Sequence, residues 1–198
     1  RLYEHHKVLT YPRTDSRYIG SDVADTLKDR LRACGVGPYK KLAGALIMKP
    51  LKTNASFVND KKVSDHHAII PTEQFVQMDH MTNEEKKIYD LVIRRFLAVL
   101  YPPFEYEQTA VTASAAETFL ARGKRILSAG WKEVYEQHGD YEDEENEDAD
   151  IREQTLPLLE KGCTFPIDHV TVTTGKTKPP APFTEATLLT AMENPVRY

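Results

Sequence analysis

The paired prolines Pro102-Pro103 cut this 198-residue chain into two stretches that follow different periods. Two successive prolines remove two backbone donors and push the residue before each of them out of helical geometry. Upstream, Thr82-Asn83-Glu84-Glu85 has the pattern of a capping box. It opens a helix predicted over 83–100, with Ile88, Leu91, Val92, Phe96 and Val99 as its apolar stripe. Downstream, strands are predicted over 105–113, 117–127, 131–135, 155–159 and 164–174, punctuated by Gly123 and Gly130. A helical module followed by a β module is an α+β chain.

The helical part has two further segments. Ser21-Asp22 can cap a helix over 22–34 carrying Val23, Leu27 and Leu31, which Gly35 and Gly37 end. A shorter helix fits 38–48, with Leu42, Ala45 and Leu46 inward. Residues 1–7 are helical in character and 49–62 read as loop. Gly175 to Pro180 reads as a linker, after which Thr184 caps a helix over 185–193.

Net charge is −4, but eight acids without a base crowd into 140–150, which reads as an acidic loop between strands. Residues 1–66 carry thirteen Lys and Arg against seven Asp and Glu, a mild basic excess suited to a phosphate backbone. The longest apolar runs fall short of a membrane span, and no signal peptide opens the sequence. Cys34 and Cys163 have neither metal nor redox spacing. Both are expected to be small buried side chains in a reducing, cytoplasmic setting. Arg1-Leu2-Tyr3 has no initiator Met and reads as the end of a helix, as in part of a longer protein.

The chemistry concentrates at Leu9-Thr10-Tyr11-Pro12-Arg13-Thr14-Asp15-Ser16-Arg17-Tyr18. Pro12 biases Tyr11 toward extended backbone, where residues two apart share a face. Tyr11 and Arg13 should therefore present a phenol beside a guanidinium. The phenol can attack phosphorus if its charge is managed, and the guanidinium's planar fork matches phosphate oxygens. Taken alone, Tyr-Pro-Arg more commonly marks a turn or a strand end. A second stretch, Val63-Ser64-Asp65-His66-His67-Ala68-Ile69-Ile70-Pro71-Thr72, holds two adjacent histidines. On extended backbone these face opposite ways and so do not share one ligand. For either one, a satisfied structural histidine is the commoner role.

Together, in this order and spacing, the two stretches closely resemble the core of type IA DNA topoisomerases, and their wording is most similar to the family's bacterial topoisomerase III branch. A third stretch, Pro179-Pro180-Ala181-Pro182-Phe183-Thr184-Glu185-Ala186-Thr187-Leu188-Leu189, resembles that family's entry into its next domain. The resemblance implies a winged-helix, CAP-like domain over 1–103 that carries the catalytic tyrosine. A β-rich hinge domain over 104–178 and the start of a helical, DNA-gripping domain over 179–198 would follow. It implies that Tyr11 attacks single-stranded DNA to form a transient 5′-phosphotyrosyl link, without ATP, while Arg13 and His66 stabilise charge on the phosphate. Lys7, Thr14, Asp15, Ser16, Arg17 and His67 would bind DNA around them. Mg²⁺ would be held by an acidic TOPRIM domain, which nothing in these residues resembles. This chain would then bind no metal, would be inactive by itself, and would be monomeric. It would act on DNA rather than on a small molecule or a membrane. The rival from another class is a non-catalytic winged-helix DNA-binding module. A tyrosine enzyme with a 3′ link would gather several arginines around the tyrosine, and no such group is evident.

Overall fold

The structure, a computed structural model, describes residues 1–136, 156–157, 159–167, 169–177 and 179–195. The chain divides into two compact units, Arg1–Pro157 and Leu158–Tyr198. It is mixed helix and sheet, in keeping with the α+β class.

In the first unit the helix expected at 22–34 is two short helices, α1 (Ser21–Asp25) and α2 (Leu27–Cys34). They break at Thr26, whose hydroxyl donates to the Val23 carbonyl at 2.8 Å. This is the local competition with backbone bonding that makes threonine a poor helix interior residue. Ser21 and Asp22 do not cap from their own side chains. Gly20 is the N-cap, and the Ser21 N–H donates instead to the Asp60 carboxylate at 2.7 Å. A turn of 3₁₀ helix at Gly37–Tyr39 leads into α3 (Lys40–Ile47). Next comes α4 (Asn83–Leu100), opened by the expected Thr82/Glu85 capping box and stopped before Pro102.

The buried face of α4 takes in part of the predicted stripe, since Phe96 is buried and Val92 and Val99 pack against the core, but not its first two members. Ile88 and Leu91 are 54% and 67% exposed, whereas Tyr89, Ile93, Phe96 and Leu97 are buried. A polar chain across the interface decides between the two rows. The Tyr39 hydroxyl donates to Asp90 at 2.7 Å, and the other Asp90 oxygen accepts from Arg94 Nε at 2.7 Å. Arg94 itself is buried and also donates to the Val134 carbonyl. Burying Arg94 requires those partners, and turning Ile88 inward would take them away.

Beyond the prolines, β1 (Glu105–Ser114) and β2 (Thr118–Ser128) form one antiparallel hairpin, in register as Thr109 opposite Gly123. Glu107 and Arg125 face each other across it and form an ion pair at 2.6 Å. The strand expected at 131–135 is helical instead: a 3₁₀ turn at Gly130–Lys132 and α5 (Glu133–Glu136). Gly130 causes this. Its φ is +51°, and a Cβ there would lie 2.2 Å from the Pro103 carbonyl oxygen. The chain thus doubles back on the prolines, where Trp131 N–H donates to the Pro102 carbonyl at 3.0 Å, and α5 buries Val134.

In the second unit, α6 (Glu185–Glu193) begins at the predicted Thr184 cap. The described residues of 155–159 and 164–174 form no strand, and Phe165, Ile167, Val170 and Val172 are exposed. A β-prone composition makes a strand only where a partner edge exists. The β module is therefore two-stranded among the described residues. The acidic stretch at 140–150 lies outside them. Cys34 is buried as expected, but Cys163 is exposed.

Candidate active site

The Tyr11 and His66 stretches, more than fifty residues apart in sequence, lie against each other. Val8 and Leu9 are buried and anchor the start. Leu9 bridges Pro71 in antiparallel sense, and Thr10 N–H donates to the Ile70 carbonyl at 3.0 Å. The Thr10 hydroxyl accepts from Ile70 N–H at 3.0 Å and donates to the Ala68 carbonyl at 3.3 Å. Farther along, Ala68 N–H donates to the Tyr18 carbonyl at 2.8 Å. Ile19 then bridges Val58 in parallel sense. Each bond spans a long loop, so the register depends on the buried apolar residues beneath it.

This pairing sets Tyr11, half-buried, between two rings. The His66 imidazole centroid is 4.3 Å from its own, with planes tilted by 40°, and Tyr3 meets it edge-on at 5.4 Å. Thr14 fixes the His66 backbone, its hydroxyl donating to the His66 carbonyl at 2.9 Å. His67 is half-buried, and its Nδ1 lies 2.7 Å from the Ala68 carbonyl. That contact fits the tautomer with hydrogen on Nδ1, donating to the carbonyl. Arg13 is exposed and, among the described residues, makes no hydrogen bond or ion pair. It is held to Tyr11 only by the backbone between them.

The remaining predicted residues fall into two groups. Lys7 lies beside Tyr11 in a cleft lined also by Tyr3, Glu4 and Thr72. Its φ is +57°, the one non-glycine residue with positive φ among those described, and its carbonyl accepts from the Thr72 hydroxyl at 2.6 Å. Such a conformation costs about 1–3 kcal/mol and persists only where its surroundings enforce it. Asp15, Ser16 and Arg17 line a separate cleft. There the Ser64 hydroxyl donates to Asp15 at 3.4 Å, and the Ser16 hydroxyl donates to the Lys62 carbonyl at 2.8 Å.

Three supports escaped the sequence reading. Tyr3 packs on Tyr11 with no periodic signal to announce it. Arg30 on α2 is buried, donating to Thr26 at 2.7 Å and the Pro71 carbonyl at 2.8 Å and pairing with Glu73 at 2.8 Å. His6 lies 3.3 Å from Glu85 of α4, which also pairs with Arg1 at 2.8 Å. The Thr82 N–H first, and then Arg1 and the contact with His6, hold the Glu85 carboxyl below its ordinary range against the opposing effect of burial.

Among the described residues no three His, Cys, Asp or Glu side chains converge on a point that could hold a metal. The donor set does not fit a Mg²⁺ site within these residues. Nor is any described helix long and apolar enough to cross a membrane.

A phenol thus sits against an imidazole, with an exposed guanidinium two residues on. Residues 1–195 match the family described as DNA topoisomerase. The chain belongs to that family, in its type IA class. It is similar to proteins named DNA topoisomerase 3. It is 61% identical to that of Bacillus thuringiensis strain Al Hakam and to that of Bacillus anthracis, and 52% identical to that of Bacillus subtilis strain 168. Each match covers the whole of this chain and 27% of the relative's length.

Proposed function

We propose that this chain is the tyrosine-bearing part of a type IA DNA topoisomerase, an isomerase that cleaves and rejoins single-stranded DNA in the cytoplasm. The observation that carries the reading is the seating of Tyr11 against His66. Tyr11 Oη attacks a backbone phosphorus. The phenol gives up its proton as it attacks, the bond from phosphorus to the 3′ oxygen breaks, that oxygen takes up a proton and leaves as a 3′-hydroxyl, and a 5′-phosphotyrosyl link forms. Attack by the same hydroxyl reverses the step: it loses its proton, and Tyr11 Oη regains one as it leaves phosphorus, so no nucleotide hydrolysis is needed. Arg13 contributes fixed positive charge, which it cannot lose at working pH. His66 donates to a non-bridging oxygen, and both act where charge develops in the transition state. Lys7, Thr14, Asp15, Ser16, Arg17 and His67 order the strand and the backbone around it.

In this reading residues 1–103 are a CAP-like winged-helix domain, 104–178 belong to the hinge, and 179–198 begin a DNA-gripping domain. The protein works as a monomer. Mg²⁺ belongs to carboxylates of a TOPRIM domain in the full-length enzyme.

The substitution Tyr11→Phe in the full-length enzyme tests this, because it removes the nucleophile and almost no volume. Covalent DNA adducts should vanish from denaturing gels while single-stranded DNA is still bound. Persisting adducts in the variant contradict the assignment. Retained binding with no adduct even from the unmodified enzyme favours the non-catalytic DNA-binding module.

A further inference from the structure

We propose that Lys61 and Lys62, with Arg17 and Tyr18, form a phosphate-backbone subsite that holds the bound single strand a few nucleotides from the scissile phosphate. The proposal rests on the reading of Tyr11 as the DNA nucleophile and adds residues that reading did not contain.

The cleft is lined by Asp15, Ser16, Arg17, Tyr18 and the turn from Lys61 to Ser64. Three cations thus face one carboxylate, and Asp15 is engaged by the Ser64 hydroxyl. Both lysines are exposed, so their charge is available to a ligand. The ammonium of Lys62 lies 4.7 Å from the centroid of the Tyr18 ring and donates to the Tyr18 hydroxyl at 3.0 Å. Ammonium and guanidinium groups beside a half-buried aromatic ring are a composition that takes single-stranded nucleic acid, chiefly through backbone charge.

The lysine turn is also pinned on every side, unlike an ordinary basic loop. Asn59 N–H donates to the Ile19 carbonyl at 3.0 Å, and its side chain accepts from Lys61 N–H at 3.1 Å. Asp60 accepts from Ser21 N–H at 2.7 Å, and the Lys62 carbonyl accepts from Ser16 at 2.8 Å. Two lysines on a turn fixed by four bonds lose less freedom on binding than two on a mobile loop.

Position follows from the chain. Lys62 and His66 are four residues apart, a span of at most about 14 Å even if fully extended. At the 3.4 Å spacing of phosphates along a duplex strand axis, that reaches about four nucleotides, and fewer if the strand is stretched. The same backbone therefore carries His66 at Tyr11 and the two lysines along the path of one strand.

The test uses the full-length enzyme and a single-stranded oligonucleotide whose cleavage position is mapped with that enzyme. Uncharged methylphosphonates replace phosphates one at a time, and binding is measured for the unmodified enzyme, for Lys61→Ala/Lys62→Ala, and for Lys61→Arg/Lys62→Arg. The unmodified enzyme should lose affinity when phosphates within about four nucleotides of the cleavage point, on one side, are neutralised. The alanine variant should be indifferent to those same neutralisations. Its log–log salt slope should be shallower by about 1.4, from about 0.7 per phosphate contact on single strands, and the arginine variant should retain the slope. Equal slopes for all three proteins, or an alanine variant as sensitive to those phosphates as the unmodified enzyme, overturn the subsite. Adduct formation read in parallel separates the two claims. Adducts lost with Tyr11→Phe but no lysine–phosphate coupling sink the subsite alone. Coupling with adducts that survive Tyr11→Phe sinks the nucleophile alone.

Discussion

The rings of Tyr11 and His66 lie with their centroids 4.3 Å apart, brought together across more than fifty residues of sequence. The contact seats the phenol while the Thr14 hydroxyl holds the histidine's backbone. His66 thus lies against the phenol, and Arg13, two residues from Tyr11, is exposed.

His66→Ala and Arg13→Ala in the full-length enzyme should each slow DNA cleavage by about 10²–10³, the usual cost of removing one preorganised charge-stabilising donor. Affinity for uncleaved single strands should fall far less. Single-turnover cleavage and equilibrium binding, measured on the same oligonucleotide, check this. Equal losses in both would make these residues plain phosphate binders.

Arg30 ties α2 to the end of the His66 stretch through the Pro71 carbonyl and Glu73. Arg30→Ala strands that carbonyl in a largely buried place and removes the bond to Thr26 Oγ1. It should cost about 1.5–3 kcal/mol of stability, the range for lost hydrogen bonds to a charged group. Urea unfolding reads the difference, and an unchanged midpoint would show the tie to be dispensable.

Gly130→Ala places a Cβ against Pro103 at a φ of +51°. The backbone strain alone should cost about 1–3 kcal/mol, and the clash adds to it. Loss should appear as a lower Tm. A variant as stable as the parent would mean that the turn onto the prolines can relax.

Burial raises the Cys34 thiol to about 12, and raises Tyr39 and Tyr89 above the ordinary phenol range. Each group is held in its neutral, protonated form by the fold. The unfolded chain releases these protons first, beginning near pH 9 for the thiol, so stability is full below that pH and falls as pH rises toward 12. Thermal melts from pH 7 to 11 should show the decline, and Cys34→Val should remove its earliest part. Under native conditions a thiol reagent should label exposed Cys163 and spare Cys34.

What could be read from sequence was local. The capping box at Thr82, the stop at Pro102 and the cap at Thr184 each lie within four residues of the element they bound, and the structure has all three. The face of α4 was legible only in part: Val92, Phe96 and Val99 do pack inward, but Ile88 and Leu91 do not, because the Tyr39–Asp90–Arg94 chain that helps select the face joins residues fifty positions apart. The helical turn at 131–135 hides in the φ of Gly130, which no alternation pattern reports. In the site, Tyr11 and His66 stand out by residue type, but the pairing of their stretches depends on the buried Val8 and Leu9. Tyr3, Lys61 and Lys62 become visible only once that pairing is formed.

The central claim is that Tyr11 takes the 5′ phosphate of a cleaved single strand, and mapping the covalent adduct tests it most directly. The full-length enzyme is trapped on a 3′-end-labelled oligonucleotide, and the adduct is digested with nuclease and trypsin. Trypsin should release the peptide from Val8 to Arg13, in which Tyr11 is the only tyrosine. The account predicts that the 3′ label travels with the protein and that this peptide carries the added phosphate mass on Tyr11. The mass on any other tyrosine, or a label retained only when placed at the 5′ end, would contradict it.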